Sequence, residues 1–189
     1  MLEEVLLAGF GGQGILSAGM LLAQAGMAHG LHVAWIPSYG PEMRGGTANC
    51  GVTLSDRPIS CPLVTEPTTL LAMNQPSLDK FAPKVKPGGL IIYNSSLARW
   101  DGELGLGRRL LGLDATAQAE AIGNVRVAVN VLVGAFIALT QIIPLERVKE
   151  ALRVVLPPHR HHLIAANEKA LEVGASLALA KVGEGIALR

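Results

Sequence analysis

Gly9-Phe10-Gly11-Gly12-Gln13-Gly14 is a G-x-G-x-x-G run. It follows an apolar stretch at residues 4–8 and leads into an uncharged stretch at 13–28. Strand, glycine turn and helix, in that order, is the context in which such a run holds a phosphate. Glycines permit the tight turn and a close backbone approach, and the helix start offers unpaired N–H groups to an anion. A dinucleotide site needs a second part, an acid at the end of the second strand that takes the ribose hydroxyls. That position falls at Ile36-Pro37-Ser38, where there is no carboxylate, and the next acid, Glu42, follows a proline-broken turn. The residues thus argue against NAD or FAD. A bland reading, in which the glycines only let strand and helix pack closely, stays open.

The most unusual segment is Ser38-Tyr39-Gly40-Pro41-Glu42-Met43-Arg44-Gly45-Gly46-Thr47-Ala48-Asn49-Cys50. It sets an aromatic, a lone Glu and a lone Arg among glycines and a proline. A loop so tightly specified binds a ligand or a partner. His159-Arg160-His161-His162 resembles a metal or phosphate site. Adjacent histidines point about 100° apart on a helix, and no nearby acid or cysteine completes a tetrahedral set. A solvated or subunit-facing helix start is the better reading, and no metal is expected. Cys50 and Cys61 form no CxxC pair and are too few to ligate an iron–sulfur cluster. Neither has a basic neighbour that would activate it, so both read as packing or cytosolic thiols. Ser17, Ser38 and Ser60 lack a G-x-S-x-G elbow.

The elements that must position these residues follow from the pattern. Residues 4–8 read as a buried strand, 32–36 as a second strand, 47–54 as an alternating strand ending in a hairpin turn at Ser55-Asp56-Arg57-Pro58, 68–73 as a further apolar run and 90–93 as a further buried strand. Asn74-Gln75-Pro76-Ser77 marks a helix start. From Asp114 on the pattern is helical: residues 116–122, 127–141, 145–156 and 163–180, with Pro157-Pro158 as a stop. The small residues Gly19, Ala23 and Gly26 in the first helix would let another backbone approach. The expected fold is α/β: a Rossmann-like layered, largely parallel sheet flanked by helices, with a helical C-terminal part, in one domain over 1–189.

Half of the residues (50%) are hydrophobic and the mean hydropathy is +0.39, although only 4% are aromatic. Such a composition suits a buried sheet and a subunit that covers much of its surface with partners. The charge-free helices at 13–28 and 127–141 are expected to exceed what so small a domain can cover, leaving an apolar patch for a partner. The uncharged run at 127–143 approaches spanning length, but Asn130 and Gln141 interrupt it and no Trp or Tyr flanks it, so no membrane span is expected. A net charge of +1 without a basic stripe gives nucleic-acid binding no electrostatic basis. Acidic Glu3-Glu4 stands where a signal peptide would be basic, which points to the cytoplasm.

GFGGQG, SYGPEMRGGTANC and DRPISCP together closely resemble the gamma subunit of the 2-oxoacid:ferredoxin oxidoreductases, in particular the 2-oxoglutarate and ketoisovalerate members. The motif likeness runs over residues 5–62 and continues more loosely through 124–134 and 158–162. The resemblance implies a heteromeric complex that decarboxylates a 2-oxoacid, passes electrons to ferredoxin and gives the acyl group to coenzyme A. It places thiamine diphosphate and the iron–sulfur clusters on alpha, beta or delta-type partner subunits, with ferredoxin an indirect partner and this chain inactive alone. No catalytic residue carries over. The wording GPEMRGGTANC leans to 2-oxoglutarate, then to branched-chain oxoacids, then to pyruvate. The alternative is a stand-alone nucleotide-binding protein of Rossmann type.

For a ligand site, the glycine loop and the second loop should reach the same sheet edge and border one crevice. Gly11, Gly12, Gln13, Gly14, Tyr39, Arg44 and Gly45 are its candidate residues. Arg44 is the one cation of the two loops, and the helix end adds partial positive charge. Coenzyme A's diphosphate is the anion that the resemblance suggests, and pairing of Arg44 with Glu42 or a partner's acid is the rival.

Overall fold

The computed structural model describes residues 1–38, 47–103 and 105–183. Strand β1 (Leu2–Phe10) is followed by α1 (Ile15–Ala28), β2 (His32–Ser38), β3 (Thr47–Ser55) and β4 (Thr69–Ala72). Helix α2 (Gln75–Phe81), β5 (Leu90–Asn94) and β6 (Arg109–Leu113) come next. Helices α3 (Ala115–Ile122), α4 (Ala128–Thr140), α5 (Leu145–Val155) and α6 (Ile164–Gly183) complete the order. The α/β expectation holds, with helices filling the C-terminal part.

The sheet order is β2-β3-β1-β4-β5-β6. It is parallel only from β1 through β6; β3 runs antiparallel to both β1 and β2. This corrects the hairpin turn expected at residues 55–58. The chain pairs β2 with β3 before that turn, and after it crosses to β4 on the far side of β1. Ser55-Asp56 is held instead by the chain start: Asp56 N–H donates to Met1 O, and the Asp56 carboxylate pairs with the Met1 ammonium. β6 has no counterpart in the sequence reading. Its five residues, RLLGL, are short, and their partners lie about twenty residues away in β5.

Alternation along the strands feeds two apolar layers. Val5 and Leu7 of β1, Leu71 of β4 and Ile92 of β5 face the layer built by α1 and α3 to α6. Leu6, Ala8, Leu70 and Ile91 face the smaller layer closed by Leu78 and Phe81 of α2. Covering on both faces is why these central strands read as continuous apolar runs.

Helix α1 sits on β2 and β3 through its glycines. A Cβ on Gly26 would lie 2.6 Å from Leu54 Cδ2, and one on Gly19 would overlap Cys50 Sγ. The close neighbours of these glycines are thus strand side chains. Of the two uncharged helices expected to exceed the domain's own cover, α1 leaves Met20 and Met27 exposed, while α4 is covered over most of its length: Ala128 through Ile137 are all buried. The cause is α6. A Cβ on Gly134 would overlap Leu171 O, and one on Gly174 would overlap Val131 O, so the two backbones touch at a reciprocal pair of glycines.

Gly134→Ala and Gly174→Ala are each expected to lower the melting temperature by about 5 °C or more, as overpacking of about 2 kcal/mol would do in a domain of this size. Gly183→Ala, whose Cβ would meet nothing within 4 Å, serves as the control and should shift it by no more than about 1 °C. Thermal unfolding followed by circular dichroism checks this, and equal melting points for Gly134→Ala and Gly183→Ala would contradict the backbone contact.

Candidate functional site

The glycine turn lies between the C-terminal end of β1 and the start of α1. Gly12 and Gly14 have φ of +91° and +79°, a region that side chains resist. Gly14 is the cap residue of α1 and offers no side chain. The first-turn N–H groups of α1 therefore remain open to a ligand.

The turn opens on a cavity of about 580 Å³. Gly11, Gly12 and Gly14 line one side of it. Ser38 at the end of β2 and Thr47 at the start of β3 line another. β2 ends at the same sheet edge as β1, because two antiparallel pairings restore its direction. Tyr39, Glu42, Arg44 and Gly45 lie outside the described residues.

Gln13 has a different job from its neighbours. Its Oε1 accepts from Phe10 N–H at 2.7 Å and from Asn74 Nδ2 at 3.2 Å. Asn74 in turn caps α2, its Oδ1 accepting from Ser77 N–H at 3.0 Å. The Gln13 side chain therefore closes the turn and ties it to α2, and it does not line the cavity.

The opposite wall comes from residues that were not singled out as cavity residues from sequence. Asn124 and Arg126 sit on the turn before α4, and Asn124 Oδ1 accepts from Arg126 N–H. This turn abuts the glycine loop, since a Cβ on Gly14 would lie 3.2 Å from Val129 Cγ1 and 3.6 Å from Arg126 O. Arg160, Asn167 and Asn130 complete the wall together with Val155, Leu156 and Leu163. Arg126 and Arg160 are exposed, and neither has an acidic partner among the described residues. These two cations come from outside the glycine loop and the second loop, in which Arg44 is the one cation. The signal lay in the Pro-His-Arg-His-His stretch and in the Asn-Val-Arg turn, but nothing in spacing tied either to the glycine loop.

The histidines beside Arg160 face backbone. His161 Nε2 meets Leu156 O at 2.9 Å, and His162 Nδ1 meets His159 O at 3.1 Å. They brace the turn that carries Arg160.

The crevice sets one helix start beside two guanidiniums that have no acidic partner among the described residues, an arrangement whose charge suits an anion. It lacks the geometry of a dinucleotide site. In that fold the acid-bearing second strand neighbours the first, whereas here β3 intervenes and places β2 about 10 Å from β1.

A family model described as pyruvate ferredoxin/flavodoxin oxidoreductase matches residues 4–177. The chain belongs to that family. Ketoisovalerate oxidoreductase subunit VorA of Methanothermobacter thermautotrophicus is 42% identical over 93% of the chain, which spans only 36% of that relative. The 2-oxoglutarate synthase subunit KorC of Methanocaldococcus jannaschii is 32% identical over 83% of the chain and 85% of its own length. Among solved structures, the gamma subunit of a keto/oxoacid ferredoxin oxidoreductase from Geobacter sulfurreducens superposes with a TM-score of 0.80 at 29% identity, covering 94% of this chain and 99% of that one. A 2-oxoglutarate:ferredoxin oxidoreductase from Magnetococcus marinus, with 2-oxoglutarate, coenzyme A and succinyl-CoA bound, gives 0.84 at 26% identity over 95% of this chain and 31% of that one. No described helix is long and apolar enough to cross a membrane.

In this member of the pyruvate ferredoxin/flavodoxin oxidoreductase family the cysteines offer no metal site. Cys61 is exposed, whereas Cys50 is buried beneath α1 with its Sγ toward Ile15 O at 3.5 Å. Burial pushes the Cys50 thiol from 9.0 up to about 12, and the Trp35 indole and Gly19 backbone only partly oppose this. At pH 8 an aromatic disulfide reagent should react fast with Cys61 and with Cys50 only in denaturant. Because the folded pKa is raised, this thiol's contribution to stability is complete below pH 9 and declines as pH rises toward 12. Fast reaction of both thiols in the folded chain would contradict the packing of Cys50.

Proposed function

We propose that the chain is the gamma-type part of a coenzyme A-dependent 2-oxoacid:ferredoxin oxidoreductase, and that its crevice holds the anionic end of coenzyme A. The observation that carries this is the cavity of about 580 Å³ flanked by Arg126, Arg160 and the uncapped start of α1. That volume lies in the range of small-molecule sites. The Magnetococcus structure, which has coenzyme A bound, and the gamma subunit from Geobacter support the reading.

The reaction chemistry falls to partner subunits. Two cysteines at separate places do not fit a cluster, and the described residues hold no group of three or more His, Cys, Asp or Glu that could bind a metal. Thiamine diphosphate and the iron–sulfur clusters accordingly sit on alpha, beta or delta-type chains, and ferredoxin docks there. This chain binds and orients: its positive edge fixes the diphosphate while the acyl acceptor reaches a neighbouring subunit. Such contacts act equally in ground and transition states, so they set KM and leave kcat unmoved. The lean to 2-oxoglutarate is supported by the KorC relative, and a branched-chain oxoacid by the more identical VorA relative. Comparing the rates of one complex on the two oxoacids separates them.

Steady-state kinetics of the assembled complex, read by oxoacid-dependent reduction of a viologen dye, tests the crevice. Arg126→Ala and Arg160→Ala should each raise KM for coenzyme A about 5- to 20-fold, with oxoacid KM and kcat unchanged. Arg44→Ala should do the same, whereas loss of assembly alone would give Arg44 to an interface. An unchanged KM in all three variants would remove coenzyme A from this crevice.

A further inference from the structure

Asn130 and Asn167 form a buried pair whose polarity is set by a backbone carbonyl. Asn167 Nδ2 donates to Leu163 O at 2.7 Å. A carbonyl only accepts, so the NH2 end of Asn167 must face it. Its Oδ1 is then turned toward Asn130 and accepts from Asn130 Nδ2 at 2.6 Å. Turning either amide over would set two oxygens, or two NH2 groups, against each other. The atom left over is Asn130 Oδ1, which has no hydrogen-bond partner among the described residues. Asn130 is 5% exposed, lies in an otherwise apolar stretch of α4, and lines the crevice. Unlike Trp35 Nε1 or Thr53 Oγ1, this oxygen is not sealed off, so at the crevice it can accept a hydrogen from water or from a ligand.

We infer that Asn130 Oδ1 receives a neutral N–H donor of the bound ligand, and that Asn167 is the positioning residue that keeps an acceptor at this point. The inference deepens the coenzyme A reading and rests on it. Arg126, Arg160 and the start of α1 take phosphate, and a phosphate or carbonyl oxygen at Asn130 would face a fixed acceptor and be repelled. Coenzyme A carries suitable donors in two places, the exocyclic amine of its adenine and the amides of its pantetheine arm.

The test uses the assembled complex with two variants. Asn130→Leu removes the acceptor. The double variant Asn130→Leu/Asn167→Leu also removes the partner, so no half-pair remains to destabilise the fold. Both should raise KM for coenzyme A about tenfold, with kcat and oxoacid KM unmoved; a merely structural role would move those as well. Asn167→Leu alone should raise KM for coenzyme A by a smaller factor, again without changing oxoacid KM, because Asn130 can then turn over. Inhibition by adenosine 3′,5′-bisphosphate, which has the amine but no pantetheine, locates the donor. Weakened inhibition in Asn130→Leu places the donor on adenine, and unchanged inhibition beside a raised coenzyme A KM places it on the arm. Both carry the inference. An unchanged coenzyme A KM in Asn130→Leu and in the double variant overturns it, and if Arg126→Ala still raises that KM, the coenzyme A reading survives alone.

Discussion

The contact between α4 and α6 is set by two carbonyl oxygens, Leu171 O and Val131 O, each lying where a side chain on Gly134 or Gly174 would begin. Two helices that meet backbone to backbone have little freedom to slide, since every small shift brings a carbonyl onto a Cα. This fixes α4, and α4 fixes the crevice. Its first turn carries Val129 against Gly14, and one residue further along Asn130 reaches Asn167 on α6. The same approach buries the whole of residues 128–137, so the most apolar helix of the chain is an internal wall.

The glycine turn is then held from two sides. The turn before α4 presses on Gly14, and the Gln13 side chain ties Phe10 N–H to Asn74 at the head of α2. A turn braced this way presents the first N–H groups of α1 in one geometry, which is what an anion site needs if binding is not to carry the cost of ordering a loop. The arginines supply charge from mobile side chains, whereas the helix start supplies direction from fixed backbone.

Much of this was legible in the sequence. The turn, α1, the ends of β1 and β2 at one edge, and the Asn74 cap follow from local rules that act within a few residues. Where several residues had to meet across the chain, those rules ran out. β3 reads equally well as the start of a later hairpin or as a partner of β2, because alternation does not name the neighbour. Arg126 and Arg160 are more than a hundred residues from Gly11, and only the packing of α4 on the glycine turn brings them to one cavity. Asn130 interrupted an apolar run, which argued correctly against a membrane span but carried no hint of Asn167. The small residues Gly134 and Gly174 likewise belong to helices that α5 separates in sequence, so their contact left no mark on the local pattern.

The most direct measurement is a structure of the assembled complex, determined in its native subunit composition with coenzyme A bound. The expected result is density for the diphosphate within hydrogen-bond reach of the first N–H groups of α1 and of Arg126 or Arg160, with an N–H of the ligand on Asn130 Oδ1. Coenzyme A bound wholly on another subunit, with side chains of that subunit filling this crevice, would contradict the assignment.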